Sequence, residues 1–259
     1  MRKKRQNFSI KLGPWLVLLV GLLLWQGLVS FAIVPRFLLP APTDIWLAFQ
    51  ADFSLLMQNM WITLGETIIG LLLGILLGVL IAIVMDRFDP IYHMVYPLLV
   101  VSQTVPTVAI APLLILWLGY GMLPKVTLII VTTFFPVAVE TLAGLRTTDP
   151  DLLQLMASMG ASRRKVLWYV KLPYALDHFF ASLRISVTYA VIAAVVAEWV
   201  GGFGGLGVYM TRVMKAYAFD KMFAAIVLIT ALSLLLMSLV TLLQRWAEPW
   251  KQTATEKIK

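Results

Sequence analysis

Four ionisable side chains, Glu66, Glu140, Arg184 and Glu198, fall inside or at the edges of long apolar runs in a chain of 259 residues. A charge at mid-bilayer is costly, so such residues usually face a cavity or a partner. Glu140 and Arg184 fall near the same end of their runs and are expected to form a structural ion pair. Glu66 and Glu198 fall toward the other end, where two carboxylates could load and release protons in a proton-coupled carrier. No His or Asp chain accompanies them to relay a proton, and the alternative is a polar cap at a cavity mouth. The two histidines, His93 and His178, stand at the edges of apolar runs without a second ligand at metal spacing, so no metal site is expected. The absence of cysteine removes thiolate sites and a disulfide framework.

The elements that must position these groups are membrane helices. Hydrophobic residues make up 61% of the chain and charged residues only 13%, against about 25% charged in soluble domains. The apolar residues come in long runs, predicting an all-α polytopic membrane protein with one transmembrane domain over 1–259. Six spans are expected at about 12–34, 61–85, 92–118, 125–145, 179–200 and 222–244, the first an uncleaved span rather than a signal peptide. Six spans put both termini on one side. Fifteen Lys/Arg fall on that side, five on the other and one, Arg184, within a span; this bias places the termini and the 146–176 loop in the cytoplasm. The net charge of +8 lies between hydrophobic runs, with no groove-like basic cluster, which excludes a nucleic-acid partner.

Several stretches are more than connectors. VPRFLLPAPTDIW carries three prolines, and Thr43 or Asp44 could cap a short surface helix. Residues 201–207 read GGFGGLG, whose glycines permit a tight re-entry. Gly70, Gly74 and Gly78 give one helix face of small residues, where a second helix can approach closely. The third span is interrupted by SQTVPTVAIAP, with Pro97, Pro106 and Pro112 in and around it. Carbonyls released by proline at membrane depth must face protein or a water-filled path. Gln103, Thr104 and Pro106, with Glu198, are therefore candidates for a translocation path, with kinked helix packing as the alternative.

The polar excursion from Leu155 to Pro173, LMASMGASRRKVLWYVKLP, is the largest departure from this apolar background. Asp149 followed by Pro150 suits a helix start, and residues 152, 153, 155, 156 and 159 form one broad apolar face. Gly160 suits a left-handed stop. Ser162 can cap a second helix, which Pro173 is expected to end. Arg163, Arg164 and Lys165 sit at the wrong end of that helix for its dipole, so they are available to anionic lipid or an acidic partner. The product is a glycine-jointed helix pair presenting apolar and basic residues, either as a docking element or as a surface pair without a partner.

Gly160, Val170, Leu172 and Pro173 fit the pattern G-x9-[IV]-x-L-P. This resembles the cytoplasmic EAA loop of permease subunits of bacterial ABC importers, although Gln154-Leu155-Met156 stands where EAA should. FLLPAPTDIW, QTVPTVAIAPLLILWLGYG and AEWVGGFGGLGVYM resemble further segments of permeases of the nitrate, sulfonate and taurine class, in the same order along the chain. The resemblance implies a type I importer permease fold in a bacterial inner membrane. It implies, as partners, a cytoplasmic ATPase dimer, a second permease copy (a homodimer), an external substrate-binding protein and membrane lipid. It assigns ATPase coupling to Gln154, Leu155, Met156, Ala157, Met159, Gly160, Ala161, Ser162, Arg163, Arg164 and Pro173. The subunit itself is expected to be non-catalytic and to hold no cofactor, since it has no G-x4-G-K-[ST] loop and ATP would bind the partner. The wording of the third-span segment resembles permeases for thiamine pyrimidine precursors and related heterocycles, with sulfonate, taurine or nitrate as the alternative substrate. A proton-coupled secondary carrier using Glu66 and Glu198 is the reading from a different class.

Overall fold

A computed structural model describes the backbone of residues 2–249 and side chains from 13 to 249. Every regular element among these residues is helical. The long helices are α1 (Arg2–Ser30), α3 (Phe53–Arg87), α6 (Met122–Arg146), α9 (Leu172–Gly201) and α11 (Phe219–Ala247). Between them lie α2 (Pro42–Ala51), α4 (Asp89–Ser102), α5 (Thr107–Leu118), α7 (Pro150–Ser158), α8 (Arg163–Val166) and α10 (Leu206–Lys215). Helices satisfy their own backbone polar groups, which is what hydrocarbon demands of a spanning chain.

Five stretches of helix are long and apolar enough to cross a membrane, and a sixth is obtained by joining α4 to α5. That pair is bent by 101° at residues 103–106, so the expected third span 92–118 is not a continuous helix but either a broken span or a re-entrant loop. The fifth span also begins far earlier than expected. Helix runs without a gap from Arg163 to Gly201, and Pro173 does not end it. Residues Leu167–Lys171 form a π turn immediately before α9, with Pro173 in the first turn of α9. Proline lacks the N–H and crowds the preceding turn of an α-helix, and a widened π turn just before the ring relieves both conflicts.

The chain forms two compact units. One comprises Met1–Asn59 and Tyr209–Leu228, the other Met60–Val208 and Ile229–Lys259. In the first, Trp25 packs its ring 6.1 Å from that of Phe223, and Gln26 Oε1 accepts from the Thr43 backbone N–H at 3.3 Å. Ala41, rather than Thr43 or Asp44, is the N-cap of α2. Asp44 lies inside the first turn and accepts the Ala41 N–H at 3.1 Å, since Pro42 fixes the start two residues earlier than Thr43, and three earlier than Asp44, would as caps. Asp52 accepts from both Lys221 Nζ and Tyr209 Oη at 2.9 Å.

The core of the second unit is the packing of α6 on α9. Leu128, Ile129, Leu183, Val187, Ala190, Val191 and Ala194 are buried there in one cluster. The alanines of AVIAAVVAEW leave room for the larger side chains of α6, the small-residue device of membrane helix pairs. The spaced glycines do the same between α3 and α6. A Cβ on Gly70, Gly74 or Gly78 would overlap Ile129, Thr133 or Val137, so this close approach exists only because those positions are glycine.

Candidate functional site

The stretch 149–162 folds as a capped hairpin. Asp149 Oδ1 accepts the Asp151 N–H at 2.9 Å, and Pro150 occupies the first turn of α7. At the other end Gly160 is left-handed, with φ of 69°. The Gly160 N–H donates to Ala157 O, and the Ala161 N–H to Met156 O, both at 3.0 Å. This paired closure is a Schellman motif, for which glycine is favoured because it carries no Cβ. Ser162 is the N-cap residue of α8, but its side chain makes no capping bond. No residue of α7 is buried; Leu155 is 55% and Met159 73% exposed. Gln154, Ala157 and Gly160 to Arg164 are solvent-facing or half-buried, and Met156 is half-buried. The helix thus presents a continuous exposed apolar surface between two fixed ends, Asp149 and Gly160.

Gln103, Thr104 and Pro106 occupy the sharp bend between α4 and α5, and all three are exposed. Thr104 Oγ1 donates to Val101 O at 2.7 Å, and Thr104 N–H and Val105 N–H donate to Val101 O and Ser102 O. Pro106 then begins α5 in extended conformation. The bend satisfies much of its backbone locally, as irregular chain at membrane depth must.

Glu198 is 1% exposed. Its Oε1 accepts from Thr63 Oγ1 at 2.7 Å and its Oε2 from the Gly207 N–H at 2.6 Å. Thr63 Oγ1 in turn accepts the Leu206 N–H at 2.8 Å. The glycines of 201–207 let the backbone fold over this carboxylate. Gly205 has φ of 114°, and a Cβ there would run into the Glu198 carboxylate. Among the described residues no hydrogen bond joins Glu198 to Gln103 or Thr104. Its polar atoms are committed to Thr63 on α3 and to the start of α10.

Beside it lies a group that sequence reasoning missed. Lys125 Nζ is 2.5 Å from Glu66 Oε1, and the two side chains are 6% and 7% exposed; the ammonium also faces Gly204 O at 3.5 Å. Lys125 reads in the sequence as a flanking cation, but α6 begins at Met122 and draws it inside. The signal available was one acid in the second span and one cation at the edge of the fourth.

The expected Glu140–Arg184 ion pair is not formed. Glu140 Oε2 lies 3.3 Å from His178 Nδ1, and Arg184 donates to Gln244 Oε1. The register of the antiparallel helices is the reason. Gly144 abuts Ala175 and Ser186 Oγ faces Thr133 O, which sets Glu140 level with His178. Arg184 is six residues on, about 9 Å of helix rise. At the other end of α3, Asp86 holds Lys171 Nζ at 2.7 and 2.8 Å, another ion pair not anticipated from the sequence.

A family model described as "Binding-protein-dependent transport system inner membrane component" matches residues 70–252. The chain belongs to this family of bacterial ABC importer permeases. The permease is 38% identical over 225 residues to a probable ABC transporter permease protein of Haemophilus influenzae, covering 87% of this chain and 92% of that one. It is 35% identical over 243 residues to the formylaminopyrimidine transport permease protein ThiX of Halalkalibacterium halodurans, covering 93% and 96%. The fold of the permease is that of an inward-facing structure of the MetNI methionine ABC transporter. The TM-score is 0.67 over 75% of this chain and 97% of that one, at 20% identity. The expected all-α importer permease fold is thus present, with five candidate spans, or six when the bent α4–α5 pair is counted as one.

Proposed function

We propose that this permease subunit passes a thiamine pyrimidine precursor or a related neutral heterocycle from an external binding protein into the cytoplasm, with ATP hydrolysed by a partner ATPase. The substrate assignment is supported by the ThiX relative, similar along nearly its whole length. The single observation that carries the mechanism is the rigid, exposed hairpin closed at Gly160. Gln154, Leu155, Met156, Ala157, Met159, Ala161 and Ser162 form its docking surface. Closure of an ATPase dimer displaces the hairpin, and the π turn and α9 pass that displacement into the spans, which alternate between inward- and outward-open arrangements. A second copy of the chain completes the path, with Gln103, Thr104 and Pro106 at its wall, and both termini and the hairpin lie on the cytoplasmic side. Glu66 and Glu198 act as structural groups, since their partners are Lys125, Thr63 and the 201–207 backbone.

The test is uptake by vesicles containing the permease, its ATPase and its binding protein. ATP-dependent accumulation of labelled formylaminopyrimidine, not competed by taurine, is the expected result. Competition by taurine or an alkylsulfonate would reassign the substrate. Uptake that survives ATP depletion and collapses with the proton gradient would replace the importer mechanism with a carrier.

A further inference from the structure

A cavity of about 470 Å³ lies beside the hairpin, lined by Ile83, Asp86, Arg87, Asp89, Arg163, Arg164, Val166, Leu167 and Lys171. Four cations and two carboxylates face it. Both carboxylates already have partners: Asp86 is held by Lys171, and Asp89 by Arg146 at 3.4 Å. Arg87 lies over the ring of Phe88, 5.1 Å from its centroid. The side chains of Arg163 and Arg164 are exposed and make neither a hydrogen bond nor an ion pair among the described residues. The cavity therefore has three guanidinium groups in excess over a neutralised floor, those of Arg87, Arg163 and Arg164, and Ile83, Val166 and Leu167 supply an apolar wall.

We infer that this cavity binds the headgroup of an anionic phospholipid. Guanidinium is the side chain best matched to phosphate, because its planar donors engage two oxygens at once. The place also fits a lipid. Arg163 and Arg164 begin the helix that continues as a span to Gly201, so the cavity lies where polar chain gives way to apolar. One turn further on, Trp168 and Tyr169 are 67% and 76% exposed. Exposed Trp and Tyr at a span end mark the headgroup level of a bilayer. The phosphate would meet Arg163 and Arg164 while its acyl chains lie along the aromatic side of the helix. The lipid would thereby brace the junction between the hairpin and α9.

The measurement is native mass spectrometry of the full-length permease, titrated with phosphatidylglycerol and with phosphatidylcholine of the same acyl chains. Phosphatidylglycerol adducts should be retained preferentially. R163Q and R164Q should each reduce that preference roughly five-fold, the effect of about 1 kcal/mol per basic side chain at an anionic surface; the double variant should abolish it. R163K/R164K should keep part of it, and each single variant remains informative if the double variant does not fold. Equal retention of the two lipids, or an unchanged preference in R163Q/R164Q, overturns the inference. So does full displacement by inorganic phosphate with phosphate adducts in place of lipid, which would make this a site for a soluble anion. Loss of co-purifying ATPase from R163Q/R164Q with lipid retention unchanged would assign both arginines to protein docking instead.

Discussion

At the scale of single residues, the two ends of the hairpin make different demands. Gly160 has nothing within 4 Å of a would-be Cβ, so only its left-handed backbone restricts it. A left-handed conformation costs an ordinary residue roughly 1–2 kcal/mol, and a β-branched one more. Gly160→Val should therefore abolish uptake and uncouple ATP hydrolysis from the binding protein. Gly160→Asn, which tolerates the same conformation, should restore most of the activity. Equal loss in both variants would mean that something other than backbone handedness is at stake. The Glu66–Lys125 pair calls for a double-variant experiment. Glu66→Gln alone leaves a buried ammonium without its counter-charge and should destabilise the protein by about 3–5 kcal/mol. E66M/K125M removes both charges and should regain most of that in thermal unfolding in detergent. Glu66 is recognisable in the sequence as a charge in an apolar run. Its partner is not, because the Lys125 side chain is assigned by lateral packing of α3 on α6, a distance of 59 residues along the chain.

At the scale of elements, glycine spacing and proline placement had unequal value. The interval of Gly70, Gly74 and Gly78 announces a close helix contact, and the contact is present against α6. Gly74→Leu should cost about 1–3 kcal/mol by overpacking against Thr133, read as a lowered melting temperature; an unchanged one would show that the two helices can separate there. Pro173 misleads, because the sequence carries no mark of the π turn that accommodates it. The Asp52 carboxylate is a further element-level device, tying the start of α3 to Tyr209 and Lys221. Burial pushes its pKa up, but the bonds from Lys221 and Tyr209 outweigh this and hold it below the ordinary carboxylate value. With the folded pKa depressed, the contribution to stability is complete above about pH 4 and is lost as pH falls through the folded value. Asp52→Asn should therefore lower thermal stability at pH 7, with the difference from the unmodified protein shrinking in acid. A difference that persists unchanged at about pH 3 would point to hydrogen bonding without charge.

At the scale of the whole molecule, a large share of the exposed surface is apolar, including Leu98, Val108, Leu116 and Trp117 on α4 and α5. Lipid and a second chain are the natural covers for such a surface. The bend of 101° between α4 and α5 falls where Pro106 begins a new helix. Straightening it with Pro106→Ala should leave the protein folded but impair transport if the bend lines the path. Unimpaired uptake would identify the bend as packing alone.

Composition and the runs of apolar residues determine by themselves that this is a helical, membrane-embedded chain, because a continuous apolar run of about 20 residues suits a spanning helix, whereas a barrel strand is about half as long and alternates. Short-range spacing likewise determines the hairpin, since Asp149-Pro150 and Gly160 act through bonds to neighbours two to five residues away. Tertiary structure alone decides which charges meet. Glu140 finds His178 and not Arg184, Lys125 finds Glu66, and Glu198 finds Thr63. Those pairings depend on the relative register of helices far apart in sequence. A shift of one turn, about 5.4 Å, is enough to exchange one partner for another while leaving every local pattern unchanged.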